Sequence, residues 1–128
     1  MPRSALPLAL ASLLACAHGT GLSREEAQSR YSKLENDYFD EWFAFEPTLA
    51  TQNGFHQYDP KLEDFGAARV ATHVQKLQGM LDRAVGLWTE RVALPYDDLI
   101  DLEALESRIR ADLLEWEKMG FRLQNPMT

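Results

Sequence analysis

Residues 37–65 read DYFDEWFAFEPTLATQNGFHQYDPKLEDF, and this stretch determines how the chain is organised. It begins as an aromatic-rich helix, which should end near Ala44 or Phe45 because Pro47 restricts the residue before it to extended conformations. Pro47 also suits the first position of a short helical turn, and Gly54 suits the left-handed residue that closes one. A polar segment, residues 56–60, leads to the next helix. The sequence therefore predicts a join between two helices that is dense in hydrogen-bonding groups, and functional residues concentrate in such connections.

The helix before this join has a clear start and a wide apolar face. Ser23 and Glu26 have the spacing of a capping box, in which each side chain satisfies a backbone N–H of the other residue. Apolar side chains then recur at steps of three and four, at Tyr31, Leu34, Tyr38, Trp42 and Phe45. Phe39 and Phe43 widen this stripe, which predicts a helix that packs against more than one neighbour.

A second helix is predicted from Gly66 or Ala67 to about Glu90. Steps of three and four define its apolar stripe, which consists of Val70, Val74, Leu77, Leu81, Val85 and Trp88. This register places His73 on the polar side of the helix.

A third helix follows a break at Pro95. Asp98 and Asp101 have the spacing of a capping box, and Gly120 offers a C-cap. The stripe between them consists of Leu102, Leu105, Ile109, Leu113 and Trp116. Because the link of residues 93–97 is short, the last two helices are expected to form an antiparallel hairpin. No run alternates with period two for more than a few residues, so the predicted fold class is all-α.

The chain starts with a pattern typical of export. Residues 1–15 are predicted to form a secretory signal peptide, because Arg3 precedes an apolar run that is too short for a membrane span of roughly 20 residues. Leu13-Leu14-Ala15-Cys16 resembles a bacterial lipoprotein processing box, so residues 16–22 are interpreted as a lipidated Cys16 and a tether. Cys16 is the only cysteine, which excludes an internal disulfide.

The residue after Cys16 indicates the membrane to which the lipoprotein would be sorted. Ala17 rather than Asp at this position resembles outer-membrane lipoproteins, which predicts a protein anchored in the outer membrane through its lipid and facing the periplasm or the exterior. The alternative is a soluble periplasmic or secreted protein, since Ala15-Cys16-Ala17 also satisfies the Ala-x-Ala rule for ordinary cleavage.

Composition narrows the classes of partner. An apolar fraction of 45% in 128 residues suits one globular domain, here residues 23–128. The net charge of −7 argues against a nucleic-acid partner, because phosphate binding requires clustered Lys and Arg.

No catalytic motif is present in the sequence. A zinc hydrolase helix needs two His four residues apart with a Glu between them, and the spacing of His18, His56 and His73 does not provide it. There is also no Gly-x-Ser-x-Gly elbow and no phosphate-binding glycine loop. We therefore predict no catalytic residue, metal ligand or cofactor in these 128 residues.

The remaining candidates are His56, Tyr58 and Asp59. In one interpretation they build a structural connection, in which Asp59 caps a turn at Pro60 and Tyr58 packs its ring. In the other, His56 and Tyr58 line a substrate cleft and donate hydrogen bonds to a peptide carbonyl.

An ordered set of residues in the join resembles the N-terminal region of the bacterial "domain of unknown function 885" family. The set comprises Asp40-Glu41-Trp42, Pro47-Thr48-Leu49-Ala50-Thr51, Gly54, His56, Tyr58-Asp59, Leu62 and Asp64. The likeness continues through the hairpin to Asn125-Pro126. Gly66-Ala67 departs from it, because the family commonly opens this helix with Ser, so the helix cap should be weaker by up to about 1 kcal/mol.

The resemblance implies a large, mostly helical, exported, zincin-like metallopeptidase. Its zinc would be held by a His-Glu-x-x-His helix downstream of Thr128, in the rest of the same polypeptide. The present chain would then be the N-terminal scaffold or lid, with a peptide substrate near His56, Tyr58 and Asp59. The alternative is a self-contained helical lipoprotein that acts as a binding or structural module through its aromatic face.

Overall fold

The computed structural model describes residues 21–119, and this range contains four α-helices and no strand. They are α1 (Arg24–Phe45), α2 (Pro47–Gln52), α3 (Ala67–Thr89) and α4 (Tyr96–Leu113). Short 3-10 turns lie at His56–Tyr58 and Arg91–Ala93, and the π-helix Leu114–Met119 extends α4. The predicted all-α fold class is confirmed. The predictions for the signal peptide, Cys16 and residues 120–128 lie outside the described residues.

Local signals set both ends of α1 as predicted. The Ser23 hydroxyl accepts a hydrogen bond from the backbone N–H of Glu26 (3.2 Å), and the Glu26 carboxylate accepts one from that of Ser23 (2.9 Å). At the other end, Glu46 leaves the helical conformation and Pro47 starts α2. The capping box and the proline break are both confirmed.

The three long helices pack as a bundle in which the chain runs up, down and up. Trp88 near the end of α3 donates to Glu106 in α4, whereas His73 near the start of α3 lies beside Trp116. This pairing confirms the antiparallel hairpin. All three helices and the link between α3 and α4 supply one core, consisting of Ala27, Tyr31, Leu34, Tyr38, Leu77, Met80, Ala84, Leu87, Leu94, Leu102, Leu105, Ile109 and Leu113. Burial of these side chains is the main stabilising contribution to the fold.

The predicted N-cap of the third helix was wrong by three residues, because the N-cap is Pro95 and not Asp98. Pro95 has an extended backbone (φ −58°, ψ 155°) that suits an N-cap, so α4 begins directly after it at Tyr96. Asp98 lies inside the first turn and accepts a hydrogen bond from Gln28 of α1 (3.2 Å) instead of capping. The absence of a side-chain cap at Gly66, which precedes α3, agrees with the weak cap predicted there.

The last residue of the predicted tether belongs to the bundle. Leu22 packs against the core, and its backbone N–H donates to the Glu90 carboxylate at the far end of α3 (3.3 Å). None of the helices within residues 21–119 is long and apolar enough to cross a membrane.

Candidate functional site

The end of α2 folds the chain back onto α1. Gly54 has φ +89°, and its N–H donates to the Thr51 carbonyl (2.9 Å) while the Phe55 N–H donates to that of Ala50 (3.0 Å). This pair of bonds is a Schellman motif, which confirms the left-handed Gly54 expected from the sequence. Its consequence is that the Phe55 ring lies against Phe43 of α1, with centroids 4.5 Å apart.

The structure brings two of the three sequence candidates together. Nδ1 of His56 lies 3.3 Å from the carboxylate of Asp59, and both side chains are exposed. The other carboxylate oxygen of Asp59 accepts a hydrogen bond from the Thr51 hydroxyl (2.8 Å), so Asp59 ties the turn to α2. Tyr58 turns toward α1 and packs against Phe43, with ring centroids 6.0 Å apart. Of the three candidates, only Tyr58 lines the groove between α1 and this turn, while Asp59 has the structural role of the connection.

An open groove of about 520 Å³ lies between α1 and this turn. We use the name aromatic groove for the surface formed by Phe39, Phe43, Phe55 and Tyr58. Phe39 and Phe55 are about 40% exposed (39% and 41%), while Phe43 is almost fully buried beneath them. Polar side chains also line the groove: Asn36, Asp40, Asn53 and Gln57. The groove thus combines exposed ring faces with amides that can donate and accept hydrogen bonds.

A second cavity, of about 420 Å³, lies between α1 and α4. We use the name acidic pocket for it, because Glu35 and Asp101 line it beside aromatic rings. The remaining lining residues are Tyr31, Tyr38, Phe39, Trp42, Ala104, Leu105 and Arg108. Phe39 and Trp42 line both cavities, so these two side chains form the wall between the groove and the pocket.

The only basic residue of the acidic pocket is already paired. Nε of Arg108 lies 3.0 Å from the carboxylate of Asp112, which also accepts a hydrogen bond from the Tyr38 hydroxyl (2.7 Å). The Arg108 guanidinium lies 5.1 Å from the centre of the Trp42 ring. Burial raises the pKa of Tyr38, as does its bond to Asp112, so the phenol stays a hydrogen-bond donor.

A buried carboxylate joins α1 to α3 close to the groove. Glu41 is 5% exposed and accepts hydrogen bonds from Arg69 (2.8 Å) and Lys76, while Nδ1 of His73 lies 2.9 Å from it. Burial would raise the pKa of Glu41, but the bonds from His73, Lys76 and Arg69 outweigh it and hold the pKa at about 2. Glu41 is therefore ionised near neutral pH, and since an ionised carboxylate only accepts, Nδ1 of His73 carries the proton.

The prediction that His73 lies on the polar side of its helix was wrong. Its side chain is buried, stacked parallel to the Phe45 ring at 3.7 Å and perpendicular to Trp116. The buried stripe of α3 consists of Val70, His73, Leu77, Met80, Ala84 and Leu87, which is rotated from the predicted one. Val85, on the predicted stripe, is exposed. The steps of 3 and 4 from Val70 through His73 to Leu77 were the signal that sequence reasoning missed.

Within residues 21–119, no three His, Cys, Asp or Glu side chains are arranged to hold a metal ion. Comparisons with known protein families, with curated proteins and with solved structures each find no match. The resemblance to the domain-of-unknown-function-885 family therefore rests on the residues of the join and the hairpin alone.

Proposed function

We propose that this chain is a non-catalytic helical scaffold of an exported metallopeptidase-like protein and that it binds substrate peptide in the aromatic groove. The observation that carries the proposal is the groove itself. Two phenylalanine rings lie open to solvent above a buried third ring, and side-chain amides lie around them. Exposed apolar surface of this kind, bordered by polar groups, is typical of interaction sites.

The chemistry of the groove suits an extended peptide. Every peptide residue except proline offers one backbone donor and one acceptor, and the side-chain amides of Asn36 and Gln57 can supply both partners. The rings of Phe39 and Phe55 offer apolar contact to a peptide side chain. Peptide recognition of this type takes affinity from backbone hydrogen bonds and selectivity from the side-chain pocket.

The groove is held in place by bonds within the join. The Schellman motif at Gly54 fixes Phe55, and the Thr51 to Asp59 bond fixes the segment that carries Tyr58. On α1, the Glu41 ion pairs hold the helix turn beside Phe43 against α3. A surface that is already ordered loses little conformational entropy when it binds, which favours affinity.

The peptidase assignment rests on the resemblance of the join to the domain-of-unknown-function-885 family. Zinc and its His-Glu-x-x-His helix would belong to the polypeptide beyond Thr128, while this chain would present substrate to them. Lipidation of Cys16 would hold the assembly at the outer membrane, and ordinary cleavage would instead release it into the periplasm or the medium.

A helical lipoprotein that binds peptide without any peptidase is the second candidate. The observation that favours it is the continuous core that α1, α3 and α4 share, because a domain that folds on its own has one contiguous core of this kind. Peptide hydrolysis by the complete polypeptide separates the two candidates, because only the first candidate joins this chain to a catalytic site.

Titration of the chain with the capped peptide Ala-Phe-Ala-norleucine-Ala tests the proposed function, with calorimetry as the readout. We expect saturable binding that weakens about tenfold in Phe39→Ala and Phe55→Ala, since truncating an aromatic contact residue commonly costs more than 1 kcal/mol. Val92→Ala is the matched control, because Val92 is 97% exposed and does not line the groove. Absence of binding by the folded wild-type chain would contradict the proposal.

A further inference from the structure

The acidic pocket carries an excess of negative charge. Glu35 and Asp101 line it, and neither forms an ion pair among residues 21–119. The Tyr31 hydroxyl donates to Glu35 only across 3.5 Å, which leaves most of the hydrogen-bonding capacity of that carboxylate available. The positive charge of Arg108 does not offset these groups, because Asp112 binds it at 3.0 Å.

Burial and the same carboxylates raise the pKa of the neighbouring Tyr31 phenol. Burial raises the pKa of Tyr31, and the carboxylates of Glu35, Asp101 and Asp98 raise it further by opposing the phenolate charge. Three carboxylates from two helices therefore act on one hydroxyl that lines the pocket. A cation placed there would interact favourably with all three.

Aromatic rings form the other walls of the pocket. Tyr38 and Trp42 are stacked with centroids 6.1 Å apart, and Phe39 lies edge-on to Tyr38 at 5.5 Å. Ring faces attract cations within about 6 Å of their centres, and the Arg108 guanidinium already occupies such a position over Trp42. Carboxylates together with ring faces are the features that select an organic cation over a neutral side chain.

We infer that the acidic pocket is the subsite for a lysine or arginine side chain of the peptide that the aromatic groove holds. This inference rests on the proposed function. Phe39 and Trp42 separate the two cavities, so one peptide crossing this wall can place an apolar side chain in the groove and a basic one in the pocket. Alternate side chains of an extended peptide lie on the same face about 6.6 Å apart, so they can enter neighbouring cavities of one surface.

The test compares three capped peptides, Ala-Phe-Ala-X-Ala, in which X is lysine, norleucine or glutamate. By calorimetry at low salt, we expect the lysine peptide to bind about tenfold more tightly than the norleucine peptide and the glutamate peptide to bind most weakly. The double variant Glu35→Gln/Asp101→Asn should lose the lysine preference and keep its affinity for the norleucine peptide.

A charge-matched control separates the pocket from the general acidity of the chain. The double variant Asp97→Asn/Glu103→Gln removes two exposed carboxylates of α4 that do not line the pocket, and it should keep the lysine preference. Equal binding of lysine and norleucine peptides to the wild-type chain would overturn the inference and leave the proposed function standing. Equal losses of lysine preference in both double variants would overturn it as well. Binding of none of the peptides would overturn the proposed function itself.

Discussion

Nδ1 of His73 lies 2.9 Å from Oε1 of Glu41, and both side chains are buried although the residues are 32 positions apart in the sequence. Arg69 and Lys76 bind the same carboxylate, so three donors of α3 converge on a single acid of α1. The turn of α1 that carries Glu41 also carries Trp42 and Phe43, which line the groove. The ion cluster thus fixes the floor of the candidate site.

Replacing Glu41 with Gln is expected to destabilise the fold. The amide keeps the shape of the side chain but removes the negative charge that pairs with Arg69 and Lys76, and breaking a buried ion pair costs about 3–5 kcal/mol. Because Arg69 and Lys76 are partly exposed, we expect a loss of about 3 kcal/mol, the lower end of that range. Urea unfolding measures this loss in the free energy of unfolding. Glu103→Gln, on an exposed face of α4, should change the free energy of unfolding by less than about 0.5 kcal/mol.

The same carboxylate predicts how stability depends on pH. The pKa of Glu41 is about 2 in the folded chain and 4.5 ordinarily, so the unfolded chain takes up a proton at higher pH than the folded chain. Its stabilising contribution is therefore complete above about pH 5 and is lost as the pH falls toward 2. Urea unfolding between pH 6 and pH 2 should show a steeper loss for the wild-type chain than for Glu41→Gln. Parallel curves would contradict this role.

Gly54→Ala is expected to destabilise the chain by about 1 kcal/mol, because a residue with a Cβ is strained at φ +89°. It should also weaken peptide binding, because this turn positions Phe55 in the aromatic groove. Gly79 provides the matched control. It lies within α3, and a Cβ there would meet no atom within 4 Å beyond its chain neighbours and the backbone of its own helix, so Gly79→Ala should stabilise the chain by about 0.5–1 kcal/mol. Thermal and urea unfolding of the two variants should shift in opposite directions.

Cys16 is predicted to carry lipid through its sulfur. The basis is the Leu-Leu-Ala-Cys sequence together with the absence of any other cysteine in the chain. Mass spectrometry of the N-terminal peptide, after expression of the precursor in a Gram-negative host, should show a diacylated Cys16. An unmodified terminus at His18 would mean ordinary secretion. Cys16→Ser should abolish membrane association in the first case and leave the location unchanged in the second.

Local chemistry accounts for the features that the sequence predicted well. The ends of α1 and the turn after α2 could be predicted from the sequence, because their signals act on the backbone within a few residues. These signals are Ser23 with Glu26, Pro47 and Gly54. The start of α4 was misplaced because Asp98 imitates a cap, whereas the extended backbone of Pro95 sets the boundary. Both Pro95 and Asp98 are local signals for a helix start, and the sequence alone did not show which of them sets it.

Features that depend on distant partners could not be read in this way. Two overlapping stripes of α3 share Val70 and Leu77, and periodicity alone does not choose between them. The choice depends on Glu41 of α1, which pairs with His73 and makes burial of a polar ring favourable. The acidic pocket escaped prediction for a similar reason, because Glu35 and Asp101 come together only when α1 and α4 pack in parallel.

Mapping the peptide onto the surface of the chain shows whether it binds in the aromatic groove. Backbone amide chemical shifts of the chain should be followed by NMR during titration with the capped peptide Ala-Phe-Ala-Lys-Ala. We expect saturable changes concentrated at Phe39, Phe43, Phe55 and Tyr58 and at Glu35 and Asp101, with none at Val92. Changes confined to other surfaces, or no saturable change in the folded chain, would contradict binding in this groove.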